Sequence, residues 1–444
     1  MLQRLSRPAV RLVERCLPDP YVLVLLLTLV AAAAAMLVER QAPVEVLRAW
    51  GGGFWNLLAF SMQMLLVLVT GFMLASTPLV RAGLRRLAGL ARGPGAAIVL
   101  VSLVSLVASW LNWGFGLVVG ALFARELAAQ VRVDYRLLVA SAYSGFVVWH
   151  GGLSGSVPLA IAGEGHFMAD AMGVVPTSQT IFSGWNLALL AALFVLVPLV
   201  NRLMLPRPED SVYHRPDAGD GDARSARDAV QDGAGPVPVR FADRLEDSRL
   251  PALAIGLAGL AWLADRFLAG GGLDLNTVNF ALLMLAIVLH GNARRLLASL
   301  QQAIRGGAGI VIQFPFYAGI MAIMADSGLA ASLSRAFVSL ASADTLPFWS
   351  FLAGGILNVF VPSGGGQWAV QAPIMIPAAE ALGADMAKVA MGVAWGDAWT
   401  NLIQPFWALP LLALAGLRAR DIMGFCLVQL LATGLVIGLS LLLL

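Results

Sequence analysis

One acidic side chain, that of Asp397, lies within a long apolar stretch near the carboxyl end of the chain. The segment around it reads W-G-D-A-W-T-N-L-I-Q-P and also contains Thr400, Asn401 and Gln404. A buried charge is costly unless it is paired or has a function, so Asp397 could ligate a cation or accept a coupling proton. The alternative is a structural carboxylate, hydrogen-bonded to Asn401 or Trp399 or placed near the outer end of its helix.

Two apolar segments, more than two hundred residues apart, are each broken by Leu-Asn and then by glycines. The first reads S-W-L-N-W-G-F-G, and the second reads G-I-L-N-V-F-V-P-S-G-G-G-Q-W. Glycine lets backbone N–H and C=O groups approach a ligand without a covering side chain. A helix that begins at such a break offers N–H groups to a carboxylate, and carbonyl, Asn and Ser oxygens suit a hard cation. The alternative is that these glycines only allow close helix packing.

A third polar segment, Y-S-G-F-V-V-W-H-G-G-L-S-G-S-V-P, contains His150. Its imidazole could donate a hydrogen bond to a substrate carboxylate or relay a proton, or it could be a hydrogen-bonded packing residue. Tryptophans near the three segments could wall an apolar pocket, although aromatic packing explains each of them equally well. These tryptophans are Trp113, Trp149, Trp368, Trp395 and Trp399.

The three segments together define the predicted site. The candidates for substrate binding are Asn112, Trp113, Gly114, His150, Gly152, Ser154, Asn358, Ser363, Gly364, Gly365, Gly366, Gln367, Thr400, Asn401 and Gln404. The candidates for Na⁺ or proton coupling are Asn112, Asn358 and Asp397. We expect no catalytic residue, and no cofactor other than a bound Na⁺.

The composition indicates a protein that crosses a membrane several times. Of the 444 residues, 59% are hydrophobic and 12% are charged, and that charged share is about half of the share in soluble domains. Residues 20–38 form nineteen uncharged positions, which is long enough to span a bilayer core. The chain contains one lysine, Lys388, and no glycine-rich phosphate loop ending in lysine, so an ATP-driven pump is not indicated.

We predict an all-α fold of about nine transmembrane helices. The predicted spans are residues 18–38, 54–77, 135–162, 180–204, 250–268, 275–291, 307–327, 388–415 and 421–444. Polar breaks interrupt two of them, at 135–162 and 388–415. Two further segments, 96–129 and 346–379, have arms of about a dozen residues beside their breaks, each reaching roughly 20 Å of a roughly 30 Å core. They are predicted to be re-entrant hairpins; the alternative is one kinked spanning helix each.

The distribution of basic residues predicts the topology. With both hairpins re-entrant, five basic residues lie outside (Arg40, Arg48, Arg266, Arg335 and Lys388), and the other 24 of 29 lie inside. This is the bias toward positive charge on the cytoplasmic side that is expected when the amino terminus lies inside. It places the amino terminus in the cytoplasm and the carboxyl terminus in the periplasm.

The two halves of the chain show the same order of predicted elements. Each half has two helices, a hairpin, a broken helix and a final helix, and the helix at 250–268 reverses the second half. We therefore predict inverted repeats. The predicted domains are a first repeat at 1–205, a cytoplasmic polar linker at 206–248 that is rich in Gly, Pro, Asp and Arg, and a second repeat with its linking helix at 249–444.

Four motifs together resemble the bacterial short-chain fatty acid transporter family over nearly the whole chain. They are L-N…P-S-G-G-G-Q-W, A-P-I-M-I-P, W-G-D-A-W-T-N-L-I-Q-P-F-W and W-H-G-G-L-S-G-S-V-P-L. The family belongs to the ion-transporter superfamily, with divalent anion/sodium symporters as distant relatives. Those relatives place Ser-Asn-Thr at both hairpin tips. Here Asn112 and Asn358 match only the asparagine, and Ser363 follows five residues later.

The resemblance implies two hairpins, two unwound helices, a homodimer and an elevator-type movement. It also implies that the substrate is a short-chain monocarboxylate, such as acetoacetate or butyrate, carried by symport with Na⁺ or H⁺. The residues themselves predict a secondary transporter of a small anion, held in a lipid membrane, and no nucleic-acid partner. A channel or an exporter of another small solute is the alternative. An enzyme is not expected, because His150 with Ser154 is the sole candidate base and nucleophile pair.

Overall fold

The computed structural model describes residues 20–213, 241–359 and 361–443. These residues form α-helices and short 3-10 helices, and they contain no β-strand. In chain order, helices α1 to α21 are Pro20–Leu37, Pro43–Gly53, Leu58–Ala75, Pro78–Ala88, Pro94–Leu111, Trp113–Gln130, Tyr135–Ser144, Ser156–Ile161, Ala169–Met172, Gly184–Leu203, Phe241–Asp247, Leu250–Leu268, Leu275–His290, Ala293–Arg305, Ala308–Asp326, Leu329–Leu340, Leu346–Leu357, Gly364–Leu382, Met386–Thr400, Pro405–Ala415 and Ala419–Leu443. The all-α prediction is confirmed.

Several helices of the described chain can cross a membrane by their length and composition. Six helical stretches are both long and apolar enough: Leu58–Ala75, Pro94–Leu111, Gly184–Leu203, Phe241–Leu268 (α11 with α12), Ala308–Asp326 and Ala419–Leu443. Further apolar helices include α1 and α13. Large apolar side chains such as Leu29, Val195 and Leu435 are exposed on the outer surface of the bundle. A continuous apolar exterior is expected where lipid is the solvent, so the chain is a membrane protein.

The first predicted hairpin is present as two antiparallel helices, α5 and α6. They meet at the break, where Asn112 is in an extended conformation, and a Cβ on Gly116 or Gly120 would meet Ser109 or Ser105 of the facing helix. Each arm has 18 residues, so the predicted arm length of about a dozen is wrong. The helices are longer because Pro94 begins α5 early and because α6 continues through polar, helix-favouring residues to its end.

The second hairpin consists of α17 and α18, with 12 and 19 residues. The amide Nε2 of Gln367 donates to the carbonyl of Gly354 at 2.7 Å, and Ser350 Oγ lies 3.4 Å from Met375 Sδ. These pairs show that the two arms run antiparallel. Ser363 begins α18 as its N-cap and accepts a hydrogen bond from the Gly366 amide at 3.3 Å. The depth of both tips within a membrane stays a prediction.

Both broken helices are bent where the sequence predicted an interruption. After α7, residues Gly145–Gly151 form a 3-10 helix that leads through a turn to α8. After α19, residues Asn401–Ile403 form a 3-10 helix, and α20 starts at Pro405. Proline has no backbone N–H and disfavours a helical residue before it. Gln404 is accordingly extended, with ψ at 116°, which separates the two halves of this helix.

The two halves of the described chain repeat one order of elements. In each half a long helix, a short helix, a second long helix and another short helix precede the hairpin, the broken helix and a last long helix. The short helices α2, α4, α14 and α16 were not predicted from the sequence. The inverted relation of the halves and the three domain limits stay predictions.

Most of the predicted linker, residues 214–240, lies outside the described residues. Its last part is helical: α11 carries three carboxylates that face Arg294 of α14. The distances from the Arg294 guanidinium are 3.5 Å to Asp243, 3.0 Å to Glu246 and 2.8 Å to Asp247. Exposed ion pairs of this kind stabilise a structure only weakly, so they hold α11 beside α14 without forming a core.

Candidate functional site

The glycines at the start of α18 bring three other helices against the tip of the second hairpin. A Cβ on Gly364 would overlap the His150 imidazole, and a Cβ on Gly365 would overlap the Phe60 ring. The same addition on Gly366 would overlap the Tyr317 ring. These positions therefore require glycine for close approach. The tip is the point at which the first broken helix, α3 and α15 converge.

A central cavity of about 300 Å³ lies beside this tip. Both hairpin tips, the two broken helices and the helices α3, α14 and α15 contribute to its lining. Five of the predicted substrate-binding residues line it, namely Trp113, Gly114, Ser363, Gly364 and Gly365. The structure thus brings part of the predicted site from both halves of the chain into one cavity.

Gly364 and Gly365, which line the cavity, carry the first backbone N–H groups of α18. The first N–H groups of a helix have no acceptor within the helix. The Gly366 amide donates to Ser363 Oγ at 3.3 Å, and the Gln367 amide donates to the Ser363 carbonyl at 2.7 Å. The backbone N–H groups of Gly364 and Gly365 come before these two donors in the helix. Together with the positive end of the helix dipole, they suit a carboxylate.

The rest of the cavity wall is mainly apolar. Trp113 meets Trp407 edge to face at 5.3 Å between ring centroids, and it lies 6.1 Å from Trp149. Among the described residues, the lining includes no Lys, Arg, His, Asp or Glu. The cavity therefore combines an apolar enclosure with neutral hydrogen-bond donors, which suits a small amphipathic anion better than a multiply charged one.

A buried group of polar side chains, here called the polar cluster, lies behind the tip. Its members are His150, Asn358, Asp397, Thr400, Asn401 and Gln404. Nε2 of His150 lies 3.1 Å from Oδ2 of Asp397, and Nδ2 of Asn401 donates to the same oxygen at 3.2 Å. The other carboxylate oxygen, Oδ1, has no partner among the described residues.

Asn358 connects the second tip to the second broken helix. Its Nδ2 lies 2.9 Å from the Asp397 carbonyl, 2.9 Å from Thr400 Oγ1 and 2.7 Å from Asn401 Oδ1. Gln404 donates from Nε2 to the Asn358 carbonyl. The side-chain oxygens Asn358 Oδ1 and Gln404 Oε1 are buried and have no partner among the described residues.

The chemistry of the polar cluster suits a hard cation or a proton. Carboxylate, amide and hydroxyl oxygens are the ligands that such cations prefer. In the part of the chain that the structure describes, no three His, Cys, Asp or Glu residues are arranged so that they could hold a metal ion, so the nitrogen and sulfur ligands typical of zinc are not assembled here. The unpartnered Oδ1 of Asp397 is the atom with most capacity to accept a ligand.

The side chain of Asn112 stabilises the first tip through hydrogen bonds at both ends of its amide. Its Oδ1 accepts from the Phe115 amide at 2.8 Å, and its Nδ2 donates to the Val67 carbonyl at 3.0 Å. Ser154 Oγ accepts from the Trp113 amide at 2.8 Å. Asn112 therefore caps α6 and attaches it to α3, and it takes no part in the hydrogen bonds of the polar cluster.

Three further candidates lie away from the cavity lining. Gly152 packs against the backbone of Trp110, where a Cβ would not fit. Gln367 joins the two arms of the second hairpin and also donates to Gln371 Oε1 at 3.1 Å. Gly366 is covered by Tyr317. These residues support the tips from outside the cavity.

The predicted tryptophans divide into two groups. Trp113 and Trp149 line the cavity. Trp368 and Trp395 are completely buried elsewhere in the core, and Trp399 donates from Nε1 to the Leu430 carbonyl at 2.7 Å. Aromatic packing thus accounts for the last three.

Some residues of the site were missed from the sequence. Tyr143 donates to the Asn401 carbonyl at 2.5 Å and lies 3.3 Å from the Gln404 carbonyl, which ties the first broken helix to the second. Gln313 of α15 lines the cavity. Both residues are single polar positions in apolar helices, and nothing in their spacing distinguishes them.

A second cavity, of about 600 Å³, lies on the other side of Phe60. Its lining includes Phe60 and Phe167. The Phe60 ring lies 5.4 Å from Phe167 and 5.8 Å from Phe314, which lines the central cavity. Phe60 thus separates the two cavities.

Comparisons with known proteins agree with this architecture. A family model described as short chain fatty acid transporter matches residues 1–444. A relative from Escherichia coli strain K12, provisionally named as a short-chain fatty acid transporter, is 45% identical over 445 residues, which cover 99% of this chain and 100% of the relative. A relative from Haemophilus influenzae with the same provisional name is 41% identical and covers 98% of each chain.

The fold is also similar to that of a solved transporter. The YdaH transporter of Alcanivorax borkumensis, whose topology is described as unusual, aligns with a TM-score of 0.60 over 95% of this chain and 98% of that chain. At 17% sequence identity, this likeness supports the fold alone. The full-length family match and the two relatives establish the assignment: the chain belongs to the short-chain fatty acid transporter family, and it is a membrane transport protein rather than an enzyme.

Proposed function

We propose that the protein is a secondary active transporter that moves short-chain monocarboxylates, such as acetoacetate or butyrate, by symport with Na⁺ or H⁺. The observation that carries this proposal is the central cavity, in which the N–H groups of Gly364 and Gly365 meet an apolar enclosure of about 300 Å³. The carboxylate binds at the start of α18, and the short acyl chain lies against the tryptophans and α3.

The charge of the cavity lining favours one carboxylate over two. A dicarboxylate brings a second negative charge, which in a buried site needs a partner of opposite charge. The described lining offers no Arg or Lys. The start of one helix, with its neutral N–H groups, can stabilise one negative charge. Monocarboxylates are therefore the preferred substrates.

Coupling to a cation follows from the charge of the substrate. Moving one negative charge inward against the membrane potential costs roughly 2.3 kcal/mol per 100 mV. One cation carried along makes the cycle neutral, and two make it driven by the potential. The polar cluster is the proposed cation site, because Asp397 Oδ1 and Asn358 Oδ1 are buried without partners among the described residues. Its oxygens accept either Na⁺ or a proton.

The cation site and the substrate site share structural parts. His150 contacts Asp397 on one side and lies against Gly364 on the other. Asn358 belongs to the second tip and donates to the second broken helix. Binding of a cation at Asp397 therefore orders the same tip that binds the carboxylate, which provides a physical basis for coupled binding.

The proposed setting is the bacterial inner membrane, with a cytoplasmic amino terminus and a periplasmic carboxyl terminus. The helices at 18–77 and 275–327 form the scaffold of a homodimer, and the hairpins and broken helices move against it as an elevator. The contacts of Gly365 with Phe60 and of Gly366 with Tyr317 support this proposal. In each contact an aromatic ring of the proposed scaffold packs against a glycine of the proposed moving domain. Sliding of the moving domain along the scaffold therefore breaks no ion pair at these points. A monomer in native-lipid mass measurements would refute the dimer.

The experiment is uptake of radiolabelled butyrate into liposomes that contain the purified protein. Protein-free liposomes correct for passage of the protonated acid through lipid. We expect accumulation above equilibrium with an inward gradient of Na⁺ or of H⁺, competition by acetoacetate and little competition by succinate. Equilibration without saturation would instead indicate a channel, and absence of uptake would refute the proposal.

A further inference from the structure

Gln313 presents an unused hydrogen-bond donor to the central cavity. The residue is 5% exposed and lines the cavity. Its Oε1 accepts from the Tyr317 hydroxyl at 3.3 Å. Nε2 of Gln313 makes no hydrogen bond to the described residues, and it is not one of their buried polar atoms without a partner. This donor is therefore open to the cavity, where a ligand can accept the hydrogen bond that water otherwise accepts.

Tyr317 fixes the orientation of this amide. Its ring lies against Gly366 at the start of α18, and its centroid is 5.8 Å from that of Phe314 in an edge-to-face contact. The hydroxyl is thereby held at one place on α15, one helical turn from Gln313. With the phenol proton directed at Oε1, both N–H groups of the Gln313 amide stay available.

We propose that Nε2 of Gln313 donates to the substrate carboxylate together with the N–H groups of Gly364 and Gly365, and that Tyr317 is a positioning residue for this amide. The inference rests on the proposed function, because it assumes a monocarboxylate in the central cavity. It adds a ligand from α15, which belongs to the proposed scaffold, to ligands from the moving tip.

A neutral donor at this place has a specific consequence. A hydrogen bond in which either partner is ionised is roughly twice as strong as a neutral one, and an arginine would add its own charge and often a second, parallel hydrogen bond. A transporter must also release its substrate in every cycle. An amide donates a hydrogen bond to the carboxylate but binds it less strongly than an arginine would. The same amide favours a carboxylate, which only accepts hydrogen bonds, over a neutral amide of equal chain length, whose NH₂ group would face it.

The test compares three variants of the full chain in liposomes with radiolabelled butyrate, and with unlabelled butyrate and butyramide as competitors. We expect Gln313→Leu to raise the half-saturation concentration of butyrate about tenfold, the usual effect of losing a hydrogen bond to a charged group. Tyr317→Phe should raise it less. The control Gln301→Leu changes an exposed residue of α14 that lies outside the cavity lining and should stay within about twofold of the wild type.

The competitors separate ligand binding from a general structural role. In the wild type, butyrate should compete much better than butyramide, and Gln313→Leu should reduce this preference while butyramide competes as before. A Gln313→Leu protein with the wild-type preference and affinity would overturn the inference, whereas the proposed function would stand. A wild-type protein that takes up no short-chain acid would overturn both. If Gln313→Leu does not reach the membrane, an unchanged preference in Tyr317→Phe and Gln313→Asn would be the contradicting result.

Discussion

Nε2 of His150 lies 3.1 Å from Oδ2 of Asp397, although the two residues come from opposite halves of the chain. Both side chains are almost completely buried. The same imidazole lies directly against Gly364, where a side chain would overlap it. This pair joins the two broken helices at the back of the hairpin tip.

The tip glycines give the first prediction. Gly365→Val should abolish butyrate uptake while leaving expression and membrane insertion nearly normal, because the branched side chain would overlap Phe60 and displace the tip. The matched control is Gly83→Val, at a position in α4 where an added Cβ meets nothing. Uptake is measured in liposomes for both variants. Wild-type uptake by Gly365→Val would remove this tip from the substrate site.

A second prediction concerns the separation of the two cavities by Phe60. Phe60→Ala should connect the cavities and make loaded liposomes lose butyrate faster in the absence of any ion gradient. Phe60→Leu keeps most of the apolar volume and should leak much less. The rate of tracer efflux, corrected with protein-free liposomes, measures this. An efflux rate for Phe60→Ala equal to that of the wild type would show that other residues close the path.

The predicted return of each hairpin to its starting face can be tested by labelling. In a protein whose native cysteines have been replaced, Ala129→Cys should react with an impermeant thiol reagent from the cytoplasmic side. Lys388→Cys should react from the periplasmic side. Ala129 lies at the end of the first hairpin and Lys388 follows the second, so each reports the face to which its hairpin returns. Labelling of either residue from the opposite face would contradict the re-entrant arrangement.

The sequence was sufficient to find the interruptions of the helices. Asn112 with its glycines, Gly152 and Pro405 are residues that end or bend a helix, and the structure bends the chain at all three. The predicted arm length of about a dozen residues is correct for α17, which has 12 residues, and too short for α5, α6 and α18. Apolar character marks the part of a helix inside a membrane, whereas helix propensity continues through residues such as Arg125 to Gln130.

The site itself was only partly predictable. Ser363 and Gly365 stood out because a polar or glycine residue within an apolar run is unusual. Phe60 and Gln313 belong to apolar helices without a conspicuous motif, and only the packing of α3 and α15 against the second tip places Gln313 in the cavity lining and Phe60 beside it. Asn112 shows the reverse: its position was conspicuous, yet both ends of its amide are used within the fold.

The most direct test of cation-coupled transport is Asp397→Asn, with butyrate uptake measured over a matrix of pH and Na⁺ gradients. Asp385→Asn, at the start of the same helix, is the control, because asparagine also caps a helix. The account predicts that Asp397→Asn loses gradient-driven accumulation and its dependence on the coupling cation, while exchange of butyrate across the membrane continues. Accumulation by Asp397→Asn equal to that of the wild type would show that Asp397 is structural and would contradict the proposed cation site.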